Sequence, residues 1–259
     1  MNGTFENNTF SLNNSICVLI SVYNSGALIH NVIASLLAKK ANVLVVNDGS
    51  TDNTDYFIKE FLSEIHYISY PKNKGKGYAL QQGFVEAIRL GYRFVITMDA
   101  DGQHKAEDLI YFAKQFSSTP NAILLGVRNF NQKNMSSSSR FANKFSNFWF
   151  MLQTALKISD TQTGYRMYPL QQIKNIHLLT QGYATELELL VKARWRNISI
   201  AEVPINVYYP PRNERVSHFR PGKDFLKISL LNTYLCVLAI IYGYPSLLLR
   251  KIKKTIQKA

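Results

Sequence analysis

Asp99 and Asp101 stand one residue apart where the apolar run "RFVITMD" (93–99) ends, and Gln103 follows two residues later. Two carboxylates at that spacing on a loop can aim at one point, where their repulsion raises the pKa of one unless a cation lies between them. Hard divalent ions such as Mg²⁺ or Mn²⁺ take oxygen ligands and keep positions for phosphate oxygens. An isolated Asp-x-Asp is more often an acidic turn, and placement after a buried strand is what points to chemistry. Asp48 ends a second apolar run, "NVLVVND", within good turn chemistry, and can accept hydrogen bonds from a base or ribose. "NKGKG" (73–77) brings backbone N–H groups and two lysines to a helix start, the makings of a phosphate cradle without the Gly-Lys-Ser/Thr of a Walker loop. His30, His66, His104, His177 and His218 show no metal-ligand spacing, although His104 is close enough to the paired aspartates to touch a metal or phosphate.

These residues need elements to hold them. The runs 16–23, 42–48, 65–70, 93–99 and 122–128 read as strands. Between them, 25–40, the segment after Asn53, 78–91 and 105–118 carry helical spacing, with Asp52 or Asn53 available as a cap. Strands alternating with helices predict an α/β chain with a mostly parallel, doubly wound sheet, and runs that are apolar throughout predict strands buried on both faces. Ligands of such sheets bind beyond the carboxyl ends of the strands, where Asp48, Asp99 and Asp101 all fall. Further on, 140–158 reads as a helix with Phe141, Phe145, Phe148, Trp149, Leu152 and Leu156 near one face. A helix over 182–197 and a strand over 198–209 follow, and no internal repeat is present.

With 259 residues the chain is long enough for one large domain with a real core. Its net charge of +13 points to an anionic partner, whether a phosphate-rich ligand or an acidic membrane surface. No zinc-finger, basic-zipper or RNA-binding signature accompanies that charge, so nucleic acid is not expected as a partner. Cys17 and Cys236 lie in apolar runs and read as buried, reduced thiols. The first fifteen residues are polar and Asn-rich, which predicts a loose tail and not a signal peptide.

Taken in order, "VLISVYN", "VVNDGSTDNT", "NKGKG", "DADGQ", "DTQTGYRMY" and "GYATELELLVKA" resemble glycosyltransferase family 2, and within it the polyprenyl-phosphate glycosyltransferases. The resemblance covers about residues 16–220 and implies a GT-A fold, a nucleotide-sugar donor and a bound Mg²⁺ or Mn²⁺. By position it implies that Ser21, Tyr23 and Ser25 line the nucleotide pocket, that Val46 and Asp48 meet the base, and that Gly75, Lys76 and Gly77 lie near it. Asp99 with Ala100 would face the ribose or the metal, and Asp101 and Gln103 the metal and diphosphate. Ser21 and Ser25 depart from the usual Pro and Glu, and Asn47 from the first of the paired aspartates. The donor stays open between a UDP- and a GDP-sugar.

The same resemblance places Arg128, Arg140, Arg166, Arg212 and Arg215 at anionic groups of donor and acceptor. Glu186 and Glu188, at i and i+2 on one helix, cannot share a face, so one is expected inward and the other at the surface. A hydroxyl acceptor calls for a general base, with Glu186 or Asp160 the candidates; an ionised lipid phosphate calls for none. The uncharged run 228–249 is long enough to cross a bilayer, which takes about 20 apolar residues. Gly243 and Pro245 interrupt it and basic residues flank both ends, which predicts a broken, membrane-associated helical segment over 221–259 instead of a single span. The expectation is an inverting transferase at the cytoplasmic membrane face, acting on a lipid-linked or membrane-proximal acceptor, with self-association possible.

Overall fold

A computed structural model of the chain describes residues 14–130, 137–209 and 221–256. The N-terminal stretch 1–13, the loop 131–136 and the segment bearing Arg212 and Arg215 lie outside the described residues.

Seven strands form one sheet: β1 (Ile16–Val22), β2 (Asn42–Asn47), β3 (His66–Ser69), β4 (Phe94–Asp99), β5 (Ile123–Arg128), β6 (Arg166–Pro169) and β7 (Ile200–Ile205). Their spatial order is β3-β2-β1-β4-β6-β5-β7. All neighbours pair in parallel except β6, which runs antiparallel between β4 and β5. The sheet is thus mostly parallel, as expected, with one reversed strand that the sequence reading did not identify.

Period-two alternation splits the core into two layers. On β1, Ile16, Val18 and Ile20 face one layer with α1 (Leu28–Ala38) and α4 (Leu109–Ser118), whereas Cys17 and Leu19 face the other. The second layer is closed by α3 (Lys76–Arg89), α5 (Ser137–Thr154) and α7 (Thr185–Trp195). Two short helices, α2 (Thr54–Lys59) and α6 (Leu170–Ile173), complete the domain. Cys17 is fully buried and its thiol is pushed up to about 12 by that burial, which makes it inert; Cys236, expected to be buried, is only partly so.

The C-terminal segment corrects one expectation. α8 (Pro221–Leu238) continues through a π turn (Ala239–Gly243) into α9 (Tyr244–Ile256), so Gly243 and Pro245 do not break the helix. Proline is tolerated here because it enters at the first turn after the π-helical offset, where an N–H partner is least needed. Gly243 is required by packing, since an added Cβ would overlap the indole of Trp195.

Candidate active site

Parallel register levels the strand ends that matter. Ser21 on β1 lies opposite Asp99 on β4, Val22 lies opposite Asn47 on β2, and the Asp48 N–H donates to the Val22 carbonyl at 2.9 Å. Ser21, Asp48, Asp99 and Asp101 therefore meet at one edge of the sheet, at the floor of an open cleft of about 1100 Å³. Tyr23, Ser25, Gly75, Lys76 and Ala100 also line it. The opposite wall comes from the loop 179–184 and from α8, through Lys227, Leu231 and Tyr234 among others. The part of that wall formed by α8 has no local signal in the sequence, because its residues reach the cleft only by long-range packing.

Asp48 is buried, and its two oxygens accept the Lys74 and Gly75 N–H groups at 2.9 and 2.7 Å. Burial raises its pKa, against the lowering effect of those bonds. The aspartate thus ties the glycine-lysine turn to the end of β2. That turn also packs tightly on the facing wall: a Cβ at Gly75 would lie 2.6 Å from the Gln181 carbonyl oxygen, and one at Gly77 would collide with Thr185.

At the cleft floor, the Lys76 ammonium sits 2.6 Å from Asp99 Oδ1 and 2.8 Å from Glu186 Oε2. Burial alone would raise Asp99, but Lys76, and then His104 at 3.6 Å from Oδ2, hold it far below the usual carboxylate range. Burial acts to lower Lys76, yet the two carboxylates outweigh it and keep the ammonium charged. Behind them, the fully buried Arg166 guanidinium donates to the carbonyls of Thr161, Thr163 and Glu186 at 2.9, 2.6 and 2.8 Å. Its Nε also lies 3.9 Å from Glu186 Oε1. Charges alternate from Arg166 through Glu186 and Lys76 to Asp99, which fixes the carboxylate that faces the cleft.

Asp101 is the exception to this pairing. Burial first, and the Asp99 charge second, push its carboxyl above the ordinary aspartate value. Its Oδ1 accepts the Gln103 N–H at 3.0 Å, which curls the loop so that both aspartates border the same space. Among the described residues no group of three or more His, Cys, Asp or Glu side chains converges on a point that could hold a metal. Asp99 and Asp101 line the cleft and are hard oxygen donors of the kind that suits Mg²⁺ or Mn²⁺, whereas Gln103, expected beside them, is not among the residues that line it. A cation there would relieve the repulsion that raises Asp101.

Other expected site residues fall elsewhere. Val46 is fully buried in the core layer under α3, and Arg166 is buried beneath the cleft, so neither side chain lines it. Asp160 is fully buried and held by Arg128 through bonds of 2.7 and 2.9 Å. Arg140 is exposed on the first turn of α5. Glu186 and Glu188 do point in different directions, but neither is at the surface. Glu188 is completely buried and accepts the Leu179 and Thr180 N–H groups and the Thr180 hydroxyl, with Lys192 at 2.5 Å. It fastens the loop that forms the cleft wall, a role that helix periodicity does not show.

Residues 17–174 match the family model described as glycosyl transferase family 2, a match over more than half of the chain. The chain belongs to glycosyl transferase family 2. Relatives within reach of this family 2 enzyme include the UDP-N-acetylglucosamine–dolichyl-phosphate N-acetylglucosaminyltransferase of Methanococcus voltae, 29% identical over 215 residues, covering 75% of this chain and 86% of the relative. The polyprenol monophosphomannose synthase of Mycolicibacterium smegmatis is 27% identical over 204 residues, covering 73% and 75%. Among solved structures, glucosyl-3-phosphoglycerate synthase from Mycobacterium tuberculosis, in complex with Mn²⁺, UDP-glucose and phosphoglyceric acid, superposes with a TM-score of 0.59 at 17% identity. It covers 87% of this chain and 79% of that one. That likeness is one of fold, and the seven-stranded sheet with its helices is GT-A-like.

Proposed function

We propose that this family 2 glycosyltransferase moves a sugar from a UDP- or GDP-sugar to a polyprenyl phosphate, with inversion at the anomeric carbon, at the cytoplasmic face of a membrane. The donor diphosphate lies over Asp99 and Asp101, with the base and ribose towards Asp48, Ser21 and Tyr23. Asp99 and Asp101, with Gln103 as a further candidate, would hold a divalent cation, which would supply charge stabilisation to the departing diphosphate. Lys76 keeps Asp99 ionised and oriented. A phosphate oxygen of the acceptor forms the new bond to the anomeric carbon as the bond to the diphosphate oxygen breaks, and the nucleoside diphosphate leaves with the electron pair.

The observation that carries the acceptor assignment is the placement of the two candidate bases. Asp160 is locked to Arg128, Glu186 is paired with Lys76 behind Asp99, and neither lines the cleft; of the carboxylates that do, Asp48, Asp99 and Asp101 serve the donor side in this reading and Asp224 stands on α8. An ionised phosphate attacks without a base, whereas a hydroxyl acceptor needs one within hydrogen-bond reach. The relatives from Methanococcus voltae and Mycolicibacterium smegmatis, whose names specify a dolichyl-phosphate acceptor and a polyprenol monophosphomannose product, support the same reading. The test is an acceptor comparison in detergent, with UDP- and GDP-sugars offered together with either polyprenyl phosphate or the free polyprenol. Transfer to the phosphate and none to the alcohol is expected. Transfer to the alcohol at a similar rate would replace the phosphate reading with one that requires a base.

A further inference from the structure

The run Asp224–Lys253 is long and apolar enough to cross a membrane, with a mean hydropathy of 1.8 over an 18-residue stretch, yet the middle of the run, from Leu231 to Gly243, is packed along one side on the domain. Leu231, Leu235, Ala239 and Gly243 recur every four residues and are all buried. Polar bonds fasten the same side. Gln153 Nε2 donates to Asn232 Oδ1 at 3.0 Å, and the Tyr244 hydroxyl donates to the Leu152 carbonyl. Near the far end, Arg250 Nη1 donates to the Arg196 carbonyl at 2.9 Å. A helix of this length extends about 45 Å. Crossing a bilayer would therefore carry α5 and the end of α7, with Lys192, Arg194 and Arg196, into the hydrocarbon region, where unsatisfied polar groups and charges are costly.

The other side of the helix is exposed and apolar, including Leu226, Leu230, Val237, Ile240, Ile241 and Leu248. It joins the aromatic face of α5 where Phe145 stacks on Phe225 at 6.4 Å, and Phe141 and Phe148 on that face are 71% and 51% exposed. Lys144, Lys227, Arg250, Lys251 and Lys253 are exposed around it, and Asp224 is the one acidic residue in α5, α8 and α9. A second copy of the chain would set this basic rim against itself, whereas an anionic lipid surface complements it.

We propose that α8, the π turn, α9 and the exposed face of α5 form one surface that lies in the plane of an anionic bilayer, so that the C-terminal helix docks on the membrane without crossing it. This deepens the lipid-phosphate reading above and rests on it for its purpose. Because Lys227, Leu231 and Tyr234 also line the cleft, the docked helix brings the mouth of the active site to the headgroup level.

Two measurements on the full chain test this surface. Cysteines placed one at a time by Gly222→Cys and Thr255→Cys in a Cys236→Ser background, where the remaining Cys17 is fully buried, flank the run, and both positions are exposed. In sealed, oriented membrane vesicles, a membrane-impermeant maleimide is expected to label both from the same side. Labelling from opposite sides would establish a span and overturn the proposal. In flotation, the purified protein is expected to rise with phosphatidylglycerol-containing vesicles and much less with pure phosphatidylcholine. Ile240→Glu with Leu248→Glu, at two exposed positions outside the cleft, is expected to reduce that binding roughly tenfold or more while nucleoside diphosphate still raises the unfolding temperature. Unchanged flotation, or a drop from dimer to monomer as the sole effect, would overturn it. Vesicle docking without sugar transfer would instead count against the acceptor reading alone, and transfer by a chain whose tail spans would count against the docking surface alone.

Discussion

Asp101→Asn is expected to lower turnover by at least about 10²-fold while leaving the protein as stable as the parent or slightly more so. Both halves follow from the same geometry. Asp101 is the carboxylate at the cleft floor whose charge is disfavoured, by burial and then by Asp99, and the group is pushed above the ordinary aspartate value. A group raised in this way contributes nothing to folding in its ionised form at neutral pH, so removing the charge relieves the fold. The bond it makes to the Gln103 N–H at 3.0 Å can be kept by an asparagine oxygen. What asparagine cannot do is offer a second anionic oxygen to the divalent cation that Asp99 and Asp101 would hold in the proposed reaction. Activity measured beside thermal unfolding checks the pair of effects. Full activity in the variant would remove Asp101 from the metal site, and a large loss of stability would show that its role is structural.

Arg166→Met should have the opposite signature, a loss of about 3–5 kcal/mol of stability. The guanidinium is fully buried and bonded to the carbonyls of Thr161, Thr163 and Glu186 and to the Tyr168 hydroxyl at 3.2 Å. Methionine fills similar space but leaves these acceptors without a donor in a dry interior, and it removes the positive neighbour of Glu186. For a domain of this size such a change corresponds to a fall in unfolding temperature of roughly 10 °C. Differential scanning calorimetry reads it directly. A shift of a degree or two would mean that Arg166 is dispensable to the fold, and its resemblance-based assignment to the donor would regain weight.

The fate of Arg166 shows what the sequence could and could not reveal. As one arginine in "TGYRMY" it looks like any phosphate-binding residue, because nothing local indicates that β6 inserts antiparallel between β4 and β5 and buries it. β6 itself is four residues long and contains that arginine, so it lacks the apolar run that marks β1, β2 and β4. Those three strands were legible because both faces of each are buried, and the aspartates at their ends were legible because a charge at the tip of such a run has few structural uses. The pair Glu186 and Glu188, of which one is expected at the surface, is buried throughout for a related reason. Surface position is the ordinary reading of a helical glutamate, whereas here Glu188 satisfies the backbone of a facing loop. The cleft wall from α8 has no local signal, since residues such as Lys227 and Tyr234 come to the cleft only through the packing of α8 on α5 and α7. Gly243 and Pro245 read as a break, and a π turn absorbed them.

The most direct test of the carboxylate pair is thermal unfolding of the purified chain with UDP, GDP, CDP and ADP, each with and without Mn²⁺. A diphosphate bound at a hundred times its Kd adds about 2.7 kcal/mol, a rise of roughly 5–10 °C. The expected result is such a rise with UDP or GDP, dependent on Mn²⁺ and absent in Asp101→Asn. No rise with any diphosphate from folded protein, or an equal rise without the metal, would contradict the assignment of Asp99 and Asp101 to a cation and a donor diphosphate.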